Sequence, residues 1–433
     1  MNGLGRFGLW PLASAVTVLL AAPAFAQTFS DEADEAPTPT VARFVASDFI
    51  DDSEDEVIPA EFLQPPAVQP PSAQPSAAPA PSTRPSSFSS RQRLASVPNM
   101  FGDIGMMSGT AVVRSADGQF PSIVEFDIPG AGGSRRVKIG ENNSPLPQDR
   151  FYLMYNHFHN VYEFSRTTVF PASTISRQEP IDRYTIGLEK TFFDGQWSVE
   201  IRMPLNGTLD IETDAFSVNN GRYGNLAVIL KRLCYQGDSV AIGAGLALDT
   251  PTGSDVHSRV GLVDLEFQNE SMHLLPYVGA LWQPTENLFF TGFLQMDIAA
   301  NGNEVIADRQ FADPLSLGRF NEQNLLYVDG AMGYWLYRDS YSDGITGVAA
   351  IFELHYTTAV QDTDVVSLGP PATSPLVISN PLNRFDVLNA SVGLNFNLGY
   401  ASNLRVAGVA PVGDRPDERF FDAEVQVQFN YRY

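Results

Sequence analysis

Cysteine is nearly absent from this sequence, and so are long apolar runs. The single cysteine, Cys234, excludes an internal disulfide and a cysteine-based zinc site. After residue 26, no stretch reaches the roughly 18 apolar residues of a membrane-spanning helix. No segment there sustains the i, i+3, i+4 spacing of an amphipathic helix either. The chain must therefore be stabilised by ordinary packing or by a membrane that it crosses without helices.

Basic residues are scarce. The 433 residues include 27 Lys and Arg against 50 Asp and Glu, for a formal net charge of −23. Nucleic-acid binders gain affinity by neutralising phosphates with basic side chains, so nucleic acid is not expected as a partner.

The N-terminus has the pattern of an export signal. Arg6 precedes an apolar stretch from Leu9 to about Ala22, and Ala24-Phe25-Ala26 supplies the small-x-small cleavage pattern. This predicts a signal peptide over 1–26. An exported chain without helical spans is periplasmic, secreted or an outer-membrane barrel.

Residues 27–96 are of low complexity. Between Asp31 and Glu61 there are eleven acidic residues and one basic residue, and 65–85 are rich in Pro, Ala and Ser. This composition predicts a disordered, extended linker, which we expect to lie in the periplasm.

Apolar and polar residues alternate along the rest of the chain, which is the pattern of β-strands. For example, Trp197 and Ile201 fall on one face and Glu200 on the other. The pattern predicts an all-β fold, an antiparallel transmembrane β-barrel over 150–433. Its twelve strands are expected near 150–164, 182–193, 196–206, 223–235, 238–250, 272–283, 286–299, 322–338, 344–360, 384–399, 402–411 and 420–433.

The predicted links alternate in length. Tight turns follow every second strand, whereas most other links are long, such as 207–222, 251–271 and 300–321. Outer-membrane barrels have short periplasmic turns and long extracellular loops. This alternation of link lengths therefore predicts that the protein lies in the outer membrane of a Gram-negative-type bacterium, where lipid surrounds the barrel.

The last strand alternates strictly and ends on an aromatic residue. It resembles the C-terminal assembly signal of bacterial outer-membrane proteins, which implies the barrel-assembly machinery as a partner. The signal residues are Val425, Val427, Phe429, Tyr431 and Tyr433.

Residues 223–299 resemble the MetA-pathway of phenol degradation family of outer-membrane barrels. The resemblance rests on Gly224-Asn225-Leu226, Leu230-Lys231-Arg232, Ala241 to Leu248, Pro251-Thr252-Gly253 and Leu275-Pro276-Tyr277, with Asp249 interrupting the pattern after Leu248. It implies a barrel linked to uptake of aromatic or other hydrophobic compounds.

Two features bear on the barrel interior. Residues 97–149 contain short alternating pieces at Gly109–Ser115, Ile123–Ile128 and Arg135–Ile139, and they are expected to form either a small periplasmic domain or a plug. The polar strand register predicts charged lumen residues, which form either a selectivity constriction or a neutralising ion-pair network. These candidates are Glu189, Glu200, Arg202, Asp297, Asp329, Glu353, His355, Glu424 and Arg432.

Motifs for catalysis, metals and cofactors are missing. The outer-membrane phospholipase family, which also forms twelve-stranded barrels, places His and Ser two residues apart, but His-x-Ser does not occur here. There is no His-Glu-x-x-His and no phosphate-binding loop. We therefore expect no enzyme, no metal and no cofactor.

The favoured function is passage of small solutes, hydrophobic or aromatic ones being one option. The alternative is a non-conducting structural or anchoring protein of the outer membrane. A solvent path through the barrel would favour transport, and a lumen filled by 97–149 would favour anchoring.

Overall fold

A computed structural model describes much of the chain beyond residue 89. The predicted signal peptide and the linker up to residue 89 lie outside the described residues. Within the described part, no helix is long and apolar enough to cross a membrane. The described ranges are 90–103, 108–115, 122–129, 136–168, 172–207, 211–213, 216–220, 223–260, 263–309, 312–339, 342, 344–370, 374–379, 384–413 and 419–433.

The described residues form one short helix and a series of strands. The elements up to residue 260 are α1 (Ser90–Ala95), β1 (Ser108–Ser115), β2 (Ser122–Pro129), β3 (Arg150–Thr168), β4 (Ser173–Phe192), β5 (Trp197–Asn206), β6 (Ile211–Thr213), β7 (Phe216–Asn220), β8 (Leu226–Gln236), β9 (Val240–Thr250) and β10 (Val256–Val260). The elements that follow are β11 (Val263–Phe267), β12 (His273–Trp282), β13 (Leu288–Ala299), β14 (Asn303–Arg309), β15 (Ala312–Phe320), β16 (Leu325–Arg338), β17 (Ile345–Ala359), β18 (Val365–Ser367), β19 (Leu376–Ser379), β20 (Asp386–Leu398), β21 (Ser402–Pro411) and β22 (Ala423–Arg432).

Twelve antiparallel strands close into a barrel. The hydrogen-bonded order is β3-β22-β21-β20-β17-β16-β13-β12-β9-β8-β5-β4, and β3 also pairs with β4. At the seam, Arg150 of β3 lies opposite both Arg432 and Glu189. The twelve-stranded barrel predicted from the alternation is confirmed. We call the edge with the tight turns the turn end and the opposite edge the loop end.

The long links contain more structure than the sequence predicted. Three of the predicted loops, 207–222, 251–271 and 300–321, contain strands that form a separate six-stranded antiparallel sheet in the order β15-β14-β11-β10-β7-β6. The prediction of these links as loops was therefore wrong. Most of these strands are short, since β6 has three residues and β7 has five. Such lengths leave too little alternation of apolar and polar residues to detect in the sequence.

The barrel has its apolar side chains outside. Along β16, Val328 and Met332 are exposed, whereas Asp329 between them is buried. The same alternation of outward apolar and buried polar residues recurs on β5 and β22 and, in part, on β17. An apolar exterior around a polar interior is the arrangement required of a barrel in lipid.

The chain ahead of β3 passes twice through the barrel. Residues 97–103, the outgoing segment, run from α1 at the turn end towards the loop end. Residues 136–149, the return segment, run back to Arg150 at the turn end. Between the two passes, the β1–β2 hairpin extends the sheet at the loop end, where β2 pairs with β3 and β1 pairs with β19. The described residues 136–139, from the alternating piece at Arg135–Ile139, form no strand.

Two apolar cores stabilise this arrangement. Leu94 of α1, Phe101 of the outgoing segment and Ile139 of the return segment pack in one cluster with wall residues that include Phe289 and Trp335. At the loop end, a second cluster joins β1, β18 and β19 to the inner face of the six-stranded sheet. The outgoing and return segments are therefore packed parts of the fold.

Candidate functional site: the barrel lumen

Glu200 lies in a buried ion-pair cluster on the wall. Its carboxylate is 2.6 Å from Arg202 Nε and 3.3 Å from Arg150 Nη2. Glu189 on the next strand contacts Arg150 Nε at 2.7 Å and Lys231 Nζ at 2.9 Å. We call these five residues the Glu200 cluster, and none is more than 3% exposed. Three of the predicted lumen residues, Glu189, Glu200 and Arg202, thus lie together in one cluster. Each contacts a side chain of opposite charge.

A second cluster ties both passes of the N-terminal segment to the wall. Lys138 of the return segment bonds Asp103 of the outgoing segment and lies 2.9 Å from Asp329 on β16. His355 on β17 contacts Asp329 through Nδ1 at 2.9 Å and Glu353 through Nε2 at 3.0 Å. Carboxylates only accept hydrogen bonds, so both ring nitrogens donate and the imidazole is a cation. We call these five residues the Lys138 cluster.

The Lys138 cluster has no room for a bound cation in this state. Asp103, Asp329 and His355 offer ligand atoms within 4.8 Å of one another. The Lys138 ammonium, however, contacts both carboxylates and supplies the positive charge at that point. The outgoing segment is therefore held by a charged side chain.

Backbone groups of the outgoing segment are bonded to the wall as well. Glu353 accepts the backbone N–H groups of Phe101 at 2.7 Å and of Gly102 at 2.8 Å. Gln426 and Gln428 on β22 donate to the carbonyls of the same two residues at 2.9 and 3.0 Å. The segment has no regular structure of its own here, so these side chains satisfy its buried backbone groups.

A third cluster lies near the loop end. Arg136 of the return segment contacts Asp297 at 3.1 Å and Glu322 at 3.0 Å. Asp297 also lies 2.6 Å from Nδ1 of His273 on β12. The sequence could not indicate Arg136, Lys138 or Asp103 as lumen residues, because none of them lies on a barrel strand.

His273 belongs to a Ser-His-Asp arrangement. Ser271 Oγ lies 3.2 Å from His273 Nε2, and His273 Nδ1 lies 2.6 Å from Asp297. The spacing along the chain is Ser-x-His, the reverse of the His-x-Ser pattern of the outer-membrane phospholipase family, so that pattern does not identify it. The Ser271 hydroxyl donates to the Asn301 carbonyl at 2.6 Å, however, and the residue is only 2% exposed. In this conformation the hydroxyl hydrogen of Ser271 points away from the imidazole of His273. The three side chains therefore stabilise the barrel wall.

The remaining predicted residues lie apart from these clusters. Glu424 is buried and accepts a hydrogen bond from Asn156 at 2.7 Å. Arg432 is half-buried at the turn end, where it donates to the Ala95 carbonyl at 2.9 Å. The residues of the resembled assembly signal are the exposed Val425, Tyr431 and Tyr433 and the half-buried Val427 and Phe429. They occupy the register opposite the buried polar residues of β22.

A small cavity separates the return segment from one side of the wall. Its volume is ≈ 20 Å³, which is enough for about one water molecule. Val137, Pro204 and Ala227 form its apolar lining. The polar lining consists of Glu141, Arg183, Thr185, Arg202, Asn225 and Asp249.

The fold and lumen define a class of protein: a closed twelve-stranded barrel with an apolar exterior and an interior occupied by its own N-terminal segment. No family profile and no curated protein matches this chain. Among solved structures, an outer-membrane channel from Pseudomonas putida F1 has a TM-score of 0.42 and 11% identity, covering 69% of this chain and 100% of the channel.

Two further solved structures are similar at this level. The beta domain of the Bordetella autotransporter BrkA has a TM-score of 0.38 and 10% identity, covering 66% of this chain and 100% of its own. The NanC porin has a TM-score of 0.35 and 8% identity, covering 65% of this chain and 100% of its own. These superpositions are too distant to transfer a property to this chain.

Proposed function

We propose that this chain is an outer-membrane β-barrel channel for small solutes that its own N-terminal segment holds closed. The apolar exterior supports insertion in lipid, and the predicted export signal supports the outer membrane of a Gram-negative-type bacterium. The turn end then faces the periplasm, together with α1 and the extension ahead of it. The barrel-assembly machinery is the proposed partner of β22 during insertion.

The charged interior of the barrel carries this proposal. None of the five residues of the Glu200 cluster is more than 3% exposed, and Lys138 joins the return segment to Asp329 on the wall. Replacing a buried ion pair by well-packed apolar side chains is often neutral or stabilising, so a barrel that served only as an anchor would not need these charges. A lumen lined by charged side chains is instead suited to polar solutes in transit.

The solute is a separate question. The resemblance to the MetA-pathway of phenol degradation family supports uptake of hydrophobic or aromatic compounds as one form of the proposal. The buried charged side chains of the lumen, among them Glu200, Arg202 and Asp329, favour polar solutes.

A non-conducting anchor is the second candidate. The apolar cluster that joins Leu94, Phe101 and Ile139 to wall residues such as Phe289 and Trp335 favours it. A lumen filled in this way resists opening, because moving the segment would expose that apolar surface to water.

Conductance in a planar bilayer separates the two candidates. The mature chain is compared with its Lys138→Met variant and with a truncated form that starts near Gln148, all shown by circular dichroism to be folded. A channel gives rare openings in the parent and more frequent ones in Lys138→Met, with steady conductance after truncation. Silence in all three folded proteins would reject the channel and favour the anchor.

A further inference from the structure

The geometry points to a binding site for an anionic phospholipid on the outer face of the barrel, where the guanidinium group of Arg232 on β8 lies over the ring of Trp197 on β5. The site would hold the phosphate of one lipid headgroup near the turn end. It goes beyond the channel function proposed above and does not depend on it, because it uses only the outside of the wall.

Arg232 lies in the lipid-facing register of β8. It is exposed, as is Leu230 before it, whereas Lys231 between them points into the lumen and is 1% exposed. The strand partners of Arg232 are Trp197 on one side and Ala244 on the other. An outward charge is destabilising at the bilayer midplane but nearly neutral close to the interface, so this position favours the level of the headgroups.

Aromatic side chains mark this level of the barrel as the membrane interface. The Trp197 ring stacks on Phe192 with centroids 6.4 Å apart, and Phe192 contacts Phe193 with centroids 5.1 Å apart. Phe193 is 72% exposed, and Tyr235, which follows Arg232 on β8, is 56% exposed. Trp and Tyr are enriched where a bilayer meets water. Arg232 therefore lies at the depth of the lipid headgroups.

The charge of Arg232 is not neutralised by the described residues. Asp194 and Asp238 lie in the two adjoining turns, but neither they nor any other carboxylate in the described part of the chain forms an ion pair with Arg232. Lys190 on β4, another outward-facing cation near the turn end, instead contacts Asp149 at 3.1 Å. Arg232 therefore presents an uncompensated positive charge to the lipid.

The guanidinium group suits a phosphate. Its planar fork of N–H donors matches two oxygens of a phosphodiester, whereas a lysine ammonium group acts only as a point charge. The Trp197 ring centroid lies 5.1 Å from the guanidinium carbon, and this cation–π contact orients the side chain along the wall. Phosphatidylglycerol has a net negative charge, whereas phosphatidylcholine balances its phosphate with its own ammonium group. An uncompensated cation should therefore select the anionic lipid.

Trp282 on β12 offers a matched control. It also faces outward at the turn end, where it is 49% exposed and stacks on Phe290 with centroids 5.3 Å apart. Its strand partners are Phe290 and Val240, which carry no charge. Trp282 thus shares with Trp197 an interfacial ring stacked on a phenylalanine, but it has no arginine beside it on the neighbouring strands.

Fluorescence quenching by brominated lipids tests the site in the full mature chain. Two variants are refolded into phosphatidylcholine vesicles: Trp282→Phe keeps Trp197 as the lipid-exposed tryptophan, and Trp197→Phe keeps Trp282. Trp335, which is 3% exposed and faces the lumen, gives both variants the same unquenched background. A minor fraction of the lipid is then replaced by phosphatidylglycerol or by phosphatidylcholine, each brominated on its acyl chains near the headgroup.

The two tryptophans should respond differently. We expect phosphatidylglycerol to be enriched about fivefold over phosphatidylcholine beside Trp197, the preference that one arginine near the membrane surface provides, and not to be enriched beside Trp282. Equal quenching of Trp197 by the two lipids would overturn the anionic selectivity. The same preference at both tryptophans would overturn the site.

Removing the guanidinium group completes the test. Arg232→Gln, made in the Trp282→Phe background, should abolish the enrichment beside Trp197. If that variant does not fold, high salt should weaken the enrichment in the Trp282→Phe protein itself, because it screens an exposed charge. A preference that survived the loss of the charge, or that salt left unchanged, would overturn the assignment to Arg232.

Discussion

Lys138 Nζ lies 2.9 Å from Asp329 Oδ1, inside a barrel wall to which Lys138 itself does not belong. The lysine reaches this carboxylate from the return segment and bonds Asp103 of the outgoing segment at the same time. One ammonium group therefore joins both passes of the N-terminal segment to β16. Buried charges contribute in this way only while each retains its partner.

Removing the Lys138 charge is expected to loosen the segment. Lys138→Met preserves the length of the side chain but removes the ammonium group that contacts both Asp103 and Asp329, which then retain only His355 as a shared basic partner. Breaking a buried ion pair on one side typically costs about 3–5 kcal/mol. We expect a loss of this size in the free energy of unfolding, measured by guanidinium titration of the refolded barrel.

The control for this variant is Lys190→Met. Lys190 contacts Asp149 at 3.1 Å, but its side chain is 62% exposed, so the change should have little effect. Equal losses in the two variants would show that Lys138 has no special role.

Acid should weaken the ion pair between Lys138 and Asp103. The carboxylate of Asp103 stabilises the fold through this ion pair only while it is ionised, so its contribution is lost when acid protonates it. We expect the stability difference between the parent and Asp103→Asn to be constant from about pH 8 to about pH 5 and to shrink in stronger acid. Asp264→Asn, at an exposed position of the six-stranded sheet, serves as the control. A difference that grew in acid would contradict the assignment.

A charge on the outer face should test the lipid-facing surface. Leu294 lies near the middle of β13 and is 46% exposed. Leu294→Arg should cost about 2–4 kcal/mol of folding stability in a bilayer, as expected near the membrane midplane. Leu315→Arg, at a similarly exposed leucine of the six-stranded sheet, should cost much less. Folding titrations in liposomes measure both, and equal costs would contradict the assignment of the lipid-facing band.

Two glycines of β16 provide a matched pair for the packing inside the barrel. A Cβ added at Gly333 would lie 2.0 Å from the ring of Phe289, whereas one at Gly330 would meet nothing within 4 Å. Gly333→Ala should therefore lower stability by about 1–3 kcal/mol through overpacking. Gly330→Ala should be close to neutral in the same unfolding measurement, and a similar loss in both would show that backbone effects dominate.

Local pattern was enough to predict the barrel but not its contents. Alternation along a strand fixes which residues share a face, and so it predicted the inward register of Glu200 and Glu353. It could not identify their partners, because contacts such as Phe101 with Glu353 join residues 252 positions apart. The outgoing and return segments have no regular structure, and so no period, in their described residues. For the same reason, the sequence could not show whether residues 97–149 fill the lumen or form a separate periplasmic domain.

The β1–β2 hairpin lies between the two passes and is hydrogen-bonded to strands on both of its edges. Thr110 pairs with Ser379 on one side, and Ser122 pairs with Thr168 on the other. The N-terminal segment consequently passes through the barrel and is held by strand pairing at the loop end. Tension applied to the chain ahead of α1 would not simply extract the segment. It would load the hairpin in shear, and the barrel would act as a mechanical coupling that carries a pull from the turn end to the loop end.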